Sequence, residues 1–386
     1  MRKHPLANLL YYLLYFCCYL FLFLTVQSVA AQSEYGPTRT TVYSTFVFQS
    51  WQLKEADSVK RLTQMALPLF VTRPISPRVR LLISESNAIS TLDPIGKSSW
   101  PESPGTRIGG IGDTKMKCSY ALVPKRLLLM AGISLPTGKK QLTSTELKAF
   151  RQFNSESLAF RVGRLGQGFE ANLGLAGVQA VGPFTFGYGG SYLARGAYKR
   201  LDVSSTKDHK PGNQYNGILS IGVKVRSLHI RTTLSHIRYT PDYYYGVQKF
   251  QQGVETVIEN RLIYHGIRLS GMAYLRQTIK GDSYLIENSL WSREPNSGRR
   301  MAAILYIGYR VTRFITLKTL IENRRRFGGR LAGTESNISS LGSGLSVQLK
   351  RAFSLEISGK LSKGSISSGQ VDVTGTCVSS TLTAPF

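Results

Sequence analysis

Residues Ile111–Lys140 read IGDTKMKCSYALVPKRLLLMAGISLPTGKK. A very short break at Val123-Pro124-Lys125 separates two alternating runs. In the first, Thr114, Met116, Cys118, Tyr120 and Leu122 share one parity, and Asp113, Lys115, Lys117, Ser119 and Ala121 the other. In the second, Leu127, Leu129, Ala131, Ile133 and Leu135 form the apolar parity. Side chains change faces at every residue only in a strand, so each run predicts a strand with one apolar and one polar face. A run of about ten residues is long enough for a tilted strand to cross a membrane. The stretch therefore predicts a transmembrane β-hairpin, and the fold depends on whether the rest of the chain repeats it.

It does. From Thr41 onward alternation recurs, as in Val42/Ser44/Phe46/Phe48, Val79/Leu81/Ile83, Phe184/Phe186/Tyr188/Tyr192, Leu219/Ile221/Val223/Val225 and Leu305/Ile307/Tyr309/Val311. The one helical spacing is Thr143–Phe153, where Glu146, Lys148 and Arg151 predict a short helix in a loop. Short turns fall near 74–77, 123–125, 180–183, 226–227, 265–266, 312–313 and 351–352. Longer polar connections lie between them, at 54–57, 87–110, 137–166, 199–213, 240–252, 280–300, 325–341 and 363–370. Tight periplasmic turns alternating with longer extracellular loops characterise outer-membrane barrels. The chain is read as an all-β transmembrane antiparallel barrel of about 16 strands, both termini being periplasmic. Fourteen strands is the alternative if 57–72 bends, and a soluble β-sandwich or propeller is the alternative fold.

Export agrees with that reading. Met1–Ala31 has a basic start (Arg2, Lys3), an apolar run Leu9–Val26 and a small-residue site at Val29-Ala30-Ala31, which predicts a signal peptide followed by one barrel over 32–386. An uncleaved anchor is the alternative. Past residue 31 only Cys118 and Cys377 remain, too few for a disulfide scaffold, although one bridge between them stays open. The chain has 49 Lys and Arg against 22 Asp and Glu, a net +27; without Met1–Ala31 the excess is +25. Behind an export signal, such an excess points to anionic headgroups or an anionic solute rather than nucleic acid.

GGIGDTKMKCSYAL followed by RLLLMAGISLPTGK resembles the hallmark hairpin of the outer-membrane transporter family named for the meta-pathway of phenol degradation, itself distantly similar to long-chain fatty-acid outer-membrane transporters. Leu165–Gly177 (LGQGFEANLGLAG), Gly189–Tyr198 (GGSYLARGAY) and Pro211–Gly217 (PGNQYNG) extend the resemblance. It implies a barrel that passes small, often hydrophobic, compounds across the outer membrane.

With the apolar parity on lipid, the opposite parity faces the lumen, since an Arg or Lys on the lipid face near mid-depth costs about 2–4 kcal/mol. The candidate pore-lining residues are Lys115, Lys117, Arg195, Arg231, Arg268, Arg276, Arg310 and Lys318. Arg126, Lys224, Arg226, Arg324, Lys350 and Lys360 share that parity, against Asp113, Glu170, Glu322 and Glu356. A wall with such an excess concentrates anions, although cross-strand pairing or snorkelling at the rims would employ several of these cations as scaffolding. Tyr43, Trp51, Phe184, Tyr239, Tyr264, Phe314 and Phe353 fit interfacial aromatic girdles.

Metal and nucleophile chemistry has no motif here. The histidines show neither HExxH nor a zinc spacing, CxxC is absent, and no cofactor is expected. His229 and Ser235 are too far apart along one strand for a direct hydrogen bond, which leaves only a cross-strand partner for an enzyme. The expected function is passive passage of small solutes, favouring anionic or carboxylated compounds. The alternative is a barrel without transport whose basic loops Arg324–Arg326 and Lys207–Lys210 bind lipopolysaccharide or a partner protein. The expected partners are outer-membrane lipid and lipopolysaccharide, and the barrel-assembly machinery through Phe386.

Overall fold

The computed structural model describes residues 39–55, 58–95, 105–139, 141–153, 155, 157–162, 166–199, 209–287, 290–294, 297–327, 335–349 and 353–386. The predicted signal peptide Met1–Ala31 and the end of its apolar run lie outside these residues. Sixteen strands follow one another round a closed wall: β1 (Thr41–Lys54), β2 (Val59–Pro74), β3 (Val79–Ile95), β4 in two pieces (Thr106–Ile111 and Thr114–Val123), β5 (Leu127–Leu135), β6 (Glu170–Val181), β7 (Phe184–Arg195) and β8 (Gln214–Val225). The second half is β9 (Leu228–Tyr239), β10 (Glu255–His265), β11 (Leu269–Lys280), β12 (Gly298–Arg310), β13 (Ile315–Phe327), β14 (Ser336–Gln348), β15 (Ser354–Ile366) and β16 (Val371–Pro385). Each pairs antiparallel with the next, and β16 pairs with β1 to close the ring. β2 is one continuous strand of 16 residues, which removes the fourteen-strand alternative.

Register assigns the faces. From Trp51, in-register partners run through Leu62 and Leu92 one way. The other way they run through Gly375, Ser362, Ser340, Glu322, Ile304, Tyr274, Arg261 and Arg231. Trp51 is 3% exposed and Leu62 0%, so this row faces the interior. The opposite parity carries the exposed apolar side chains, including Leu173 at 57% and Leu361 at 67%. A closed barrel wearing an apolar band on its outside has every backbone group paired and a surface that only lipid covers, which places the chain in the outer membrane.

Several expectations need correction. The connections expected at 87–110 and 325–341 are shorter, because β3 continues to Ile95, β13 to Phe327, and β14 begins at Ser336. Ser84-Glu85-Ser86-Asn87 and Ser339-Ser340 are polar on both faces, so the period-two hydrophobic signal vanishes where the strand does not. Tyr43, Trp51 and Tyr239 take the inward parity rather than a lipid-facing girdle. Arg324–Arg326 is strand, not a basic loop: Arg324 and Arg326 share the inward parity, and Arg325 lies outward, 4.7 Å from the Phe327 ring centroid. Lys207 and Lys350 lie outside the described residues.

The two cysteines stand on opposite faces. Cys118 pairs with Ala131 on the outward parity, whereas Cys377 pairs with Gln49 and Lys360 on the inward one, and both are free thiols. In lipid vesicles a charged, membrane-impermeant thiol reagent is expected to modify Cys377 slowly and to leave Cys118 to an apolar maleimide. Mass spectrometry of the labelled peptides would show the reverse pattern if the faces were inverted.

Candidate functional site

The connection after β5 folds into the barrel. It holds one helix, α1 (Ser144–Phe153), as the 143–153 spacing predicts. Thr143 caps it: the Glu146 N–H donates to Thr143 Oγ1 (3.2 Å), and the Thr143 N–H donates to Glu146 Oε2 (3.0 Å). This reciprocal pair satisfies two otherwise orphaned donors. Lys139 Nζ lies 2.6 Å from Glu146 Oε1. Burial pushes the Glu146 carboxyl up, but the hydrogen bonds from Lys139 and Thr143 outweigh it and hold the group below its ordinary value.

Leu142, Ala149, Phe153, Leu158, Phe160 and Val162 of this connection are buried in one cluster with Val47, Trp51, Leu53, Leu62, Ala88, Ile338 and Val373 of the inner wall. Burying each of the larger side chains contributes about 1.5–3 kcal/mol. Polar side chains of the wall then hold the connection's backbone. Gln49 Nε2 donates to the Ala159 carbonyl (3.3 Å) and its Oε1 accepts from the Arg161 N–H (2.8 Å). Gln64 repeats the arrangement on Val162, at 2.8 Å to the carbonyl and 2.9 Å from the N–H, and also donates to Ser90 Oγ. Arg324 Nη1 donates to the Ser157 carbonyl (2.9 Å), and the Ser157 and Ser336 hydroxyls are 2.8 Å apart. The connection is thus seated against β1–β4 and β13–β16, and among the described residues it makes no such contacts with the β8–β12 side of the interior.

The base of the connection is clasped by the motif that opened the sequence. β4 shifts register by one residue at Gly112-Asp113, between Asn87↔Ile111 and Ser84↔Lys115. The break turns Asp113 into a buried acceptor for the N–H groups of Gly138 (2.9 Å) and Gln167 (2.5 Å). Thr137 Oγ1 donates to the Gly112 carbonyl (3.1 Å) and accepts from the Thr114 N–H (2.9 Å). Gly166 lies so close to Gly138 that a Cβ would stand 2.9 Å from its carbonyl carbon. GxGD, LPTG and LGQG, far apart in sequence, therefore meet at one knot.

The structure distributes the eight candidate cations as follows. Lys115 is in register with Ser134, and Lys117 with Gly132, both on the inward parity. Arg195 lies 3.3 Å from Glu170 and donates to the Gly212 carbonyl and to Gln214, so it braces loop bases. Lys318 pairs with Glu356, and Arg276 lies 3.8 Å from Glu259. Arg310 is the last residue of β12, inward by parity. Arg268 does not lie on a strand: it sits in the tight turn before β11, where its carbonyl accepts from the Arg310 N–H. Arg231 donates to Ser220 Oγ (3.3 Å) and, among the described residues, has no carboxylate within ion-pair distance. Glu322 is flanked by Lys360 (2.8 Å) and Arg324 (3.2 Å), and Arg300 lies 3.9 Å from Glu255.

Sequence reading missed Arg261, Glu259 and Tyr274. Arg261 pairs in register with Arg231 and lies 3.2 Å from Glu259, which also accepts from the Tyr274 hydroxyl (2.8 Å). Two guanidiniums, Arg261 and Arg276, thus share one carboxylate, and Arg231 stands in register with the first of them. The signal was present, since Ile258, Leu262 and Tyr264 form an apolar parity that leaves Glu259 and Arg261 on the other. The two residues weighed for catalysis, His229 and Ser235, share the inward parity of one strand; the neighbouring His236 lies outward, 3.2 Å from Thr256 Oγ1.

No family model and no curated relative match this chain. Among solved structures it is similar to the OccK7 protein of Pseudomonas aeruginosa, at 8% identity and a TM-score of 0.46, over 90% of this chain and 100% of that one. It is similar also to the outer membrane channel DcaP of Acinetobacter baumannii (9% identity, TM-score 0.44, 92% and 100% covered). A third is an anion-selective porin from Comamonas acidovorans (12% identity, TM-score 0.42, 90% and 99% covered). Likenesses this distant carry nothing about solute or mechanism, which must come from the chain's own geometry.

Proposed function

We propose that the protein is a passive outer-membrane channel for small solutes whose lumen favours anions. The observation that supports this most directly is the Arg231–Arg261–Arg276 group, set on the wall across from the seated connection, in which Arg261 and Arg276 share the carboxylate of Glu259 and Arg231 donates only to Ser220 Oγ. A barrel of about sixteen strands is wide enough to keep an aqueous path when side chains alone line it. Here the seated connection narrows that path to the side where the guanidiniums stand. Arg261 and Arg276 are 48% and 50% exposed at their side chains, so they meet lumen water rather than protein. Fixed positive charge on a low-dielectric wall raises the local concentration of anions and repels cations. Lys318, Arg195 and Lys360, each held by an acid, contribute scaffolding more than selectivity.

The test is reversal potential in planar bilayers under a KCl gradient. The purified protein should conduct and prefer chloride. R231E with R261E should lower the chloride-to-potassium permeability ratio by about tenfold, because two fixed charges change sign in a narrow path. R268E, in the turn, should move it little. Absence of conductance overturns the channel reading, and cation preference in the unmodified protein overturns its anion preference.

A further inference from the structure

The inner wall beside Arg231 holds a hollow that charge selectivity does not explain, and we infer that it is a subsite for small carboxylates with an apolar body. The inference rests on the channel reading above and narrows its solute class. The in-register row Leu128, Ala176, Gly189, Ile218 sets two small residues between two large ones on β5–β8. The wall is therefore concave there, with an apolar flank at each side. Met130 extends one flank, its Cε 3.6 Å from where a Gly174 side chain would begin. The hollow measures about 480 Å³ and is bordered by Ser191, Ser220 and Arg231 on one side and by Lys125 and Arg126 at the turn between β4 and β5. That volume falls in the range of small-molecule sites, about 300–1,000 Å³.

The chemistry follows from what the rim lacks. Arg231 donates to a hydroxyl, Ser220 Oγ, and its in-register neighbour is another cation, Arg261. Like charges directly opposite across two strands repel. A carboxylate beside Arg231 would relieve that repulsion and use the planar donor fork of a guanidinium, which matches two carboxylate oxygens. An inorganic anion would use the charge and leave the hollow to water. A ring or short branched chain on the carboxylate would cover Leu128, Met130 and Ile218 as well, gaining apolar burial that acetate cannot. The hollow opens onto the lumen, so such a solute would rest there in passage.

Calorimetry on the full-length protein in detergent, with benzoate as probe and acetate as comparison, tests this apart from conduction. Benzoate should bind at least about tenfold more tightly than acetate. R231Q should weaken benzoate by about tenfold or more, and R231K by less, since the charge remains. M130S with I218S should weaken benzoate and leave acetate unchanged. Equal affinity for benzoate and acetate, or benzoate binding unaffected by R231Q in a heat-modifiable, folded barrel, overturns the subsite. Benzoate binding of the expected pattern in a protein without conductance would keep the subsite and remove the channel; anion conductance with equal benzoate and acetate affinity would do the opposite.

Discussion

Single-channel conductance is expected to rise at least about threefold when residues 142–162 are replaced by a short Gly/Ser linker, because a sixteen-strand wall without an inward segment encloses a wide aqueous path. The seated connection covers Val47, Trp51, Leu53 and Leu62 on the inner wall, and its removal exposes them to water. The variant should therefore be less stable as well as more conductive. A milder change separates the effects. Q49A with Q64A removes the side-chain clamps on Ala159, Arg161 and Val162 while leaving every apolar contact in place. Those four hydrogen bonds contribute about 0.5–1.5 kcal/mol each. Burial of Leu142, Phe153, Leu158, Phe160 and Val162 contributes more in total, at about 1.5–3 kcal/mol each as an upper estimate. The connection should stay docked most of the time in the double variant, so recordings should show brief openings above the wild-type level rather than a permanently larger pore. Unchanged conductance in the linker variant would mean that the connection does not limit the path.

How much of this was readable beforehand depends on which face a residue serves. Strand positions such as Leu173, Tyr188, Leu219 and Leu361 alternate strictly because lipid demands apolar side chains on one parity, and the wall follows from them. The inner face carries no such demand. Trp51, Leu53 and Leu62 are apolar because the inward connection rests on them, while Arg231 and Arg261 are charged because water does. Without knowing where the connection lies, Trp51 reads as a girdle residue, and Arg324 reads as part of a basic loop. Only the structure separates the guanidinium that holds the Ser157 carbonyl from the one that meets the lumen. The connection itself was legible as a helix over 143–153, but its destination was not, since a helix of ten residues carries no record of the wall it packs against.

The second large effect should come from Asp113, the residue through which the opening hairpin commands the connection. Asp113→Ala leaves the N–H groups of Gly138 and Gln167 without their acceptor in a part-buried knot. Each orphaned donor costs about 1–3 kcal/mol. Asp113→Asn should be nearly as harmful, because an amide keeps one acceptor and turns an N–H toward the other donor. The barrel pairing of β4 with β3 and β5 does not pass through this side chain, so the loss should fall on the connection and spare the wall. Local opening, not global unfolding, is then the quantity that changes, and trypsin added to the outside of vesicles reads it through cleavage after Lys139. At 1.4 kcal/mol per factor of ten, two orphaned donors should speed that cleavage about thirtyfold or more. The heat-induced gel shift of the barrel should stay near that of the unmodified protein. Thr137→Val, which removes the hydroxyl bridging Gly112 and Thr114, should add a smaller increment of the same kind. If cleavage is no faster in D113A, the knot is ornament and the apolar cluster alone seats the connection. If it is, then the motif that most clearly marks the hairpin matters less for crossing the membrane than for holding in place the segment that narrows the path.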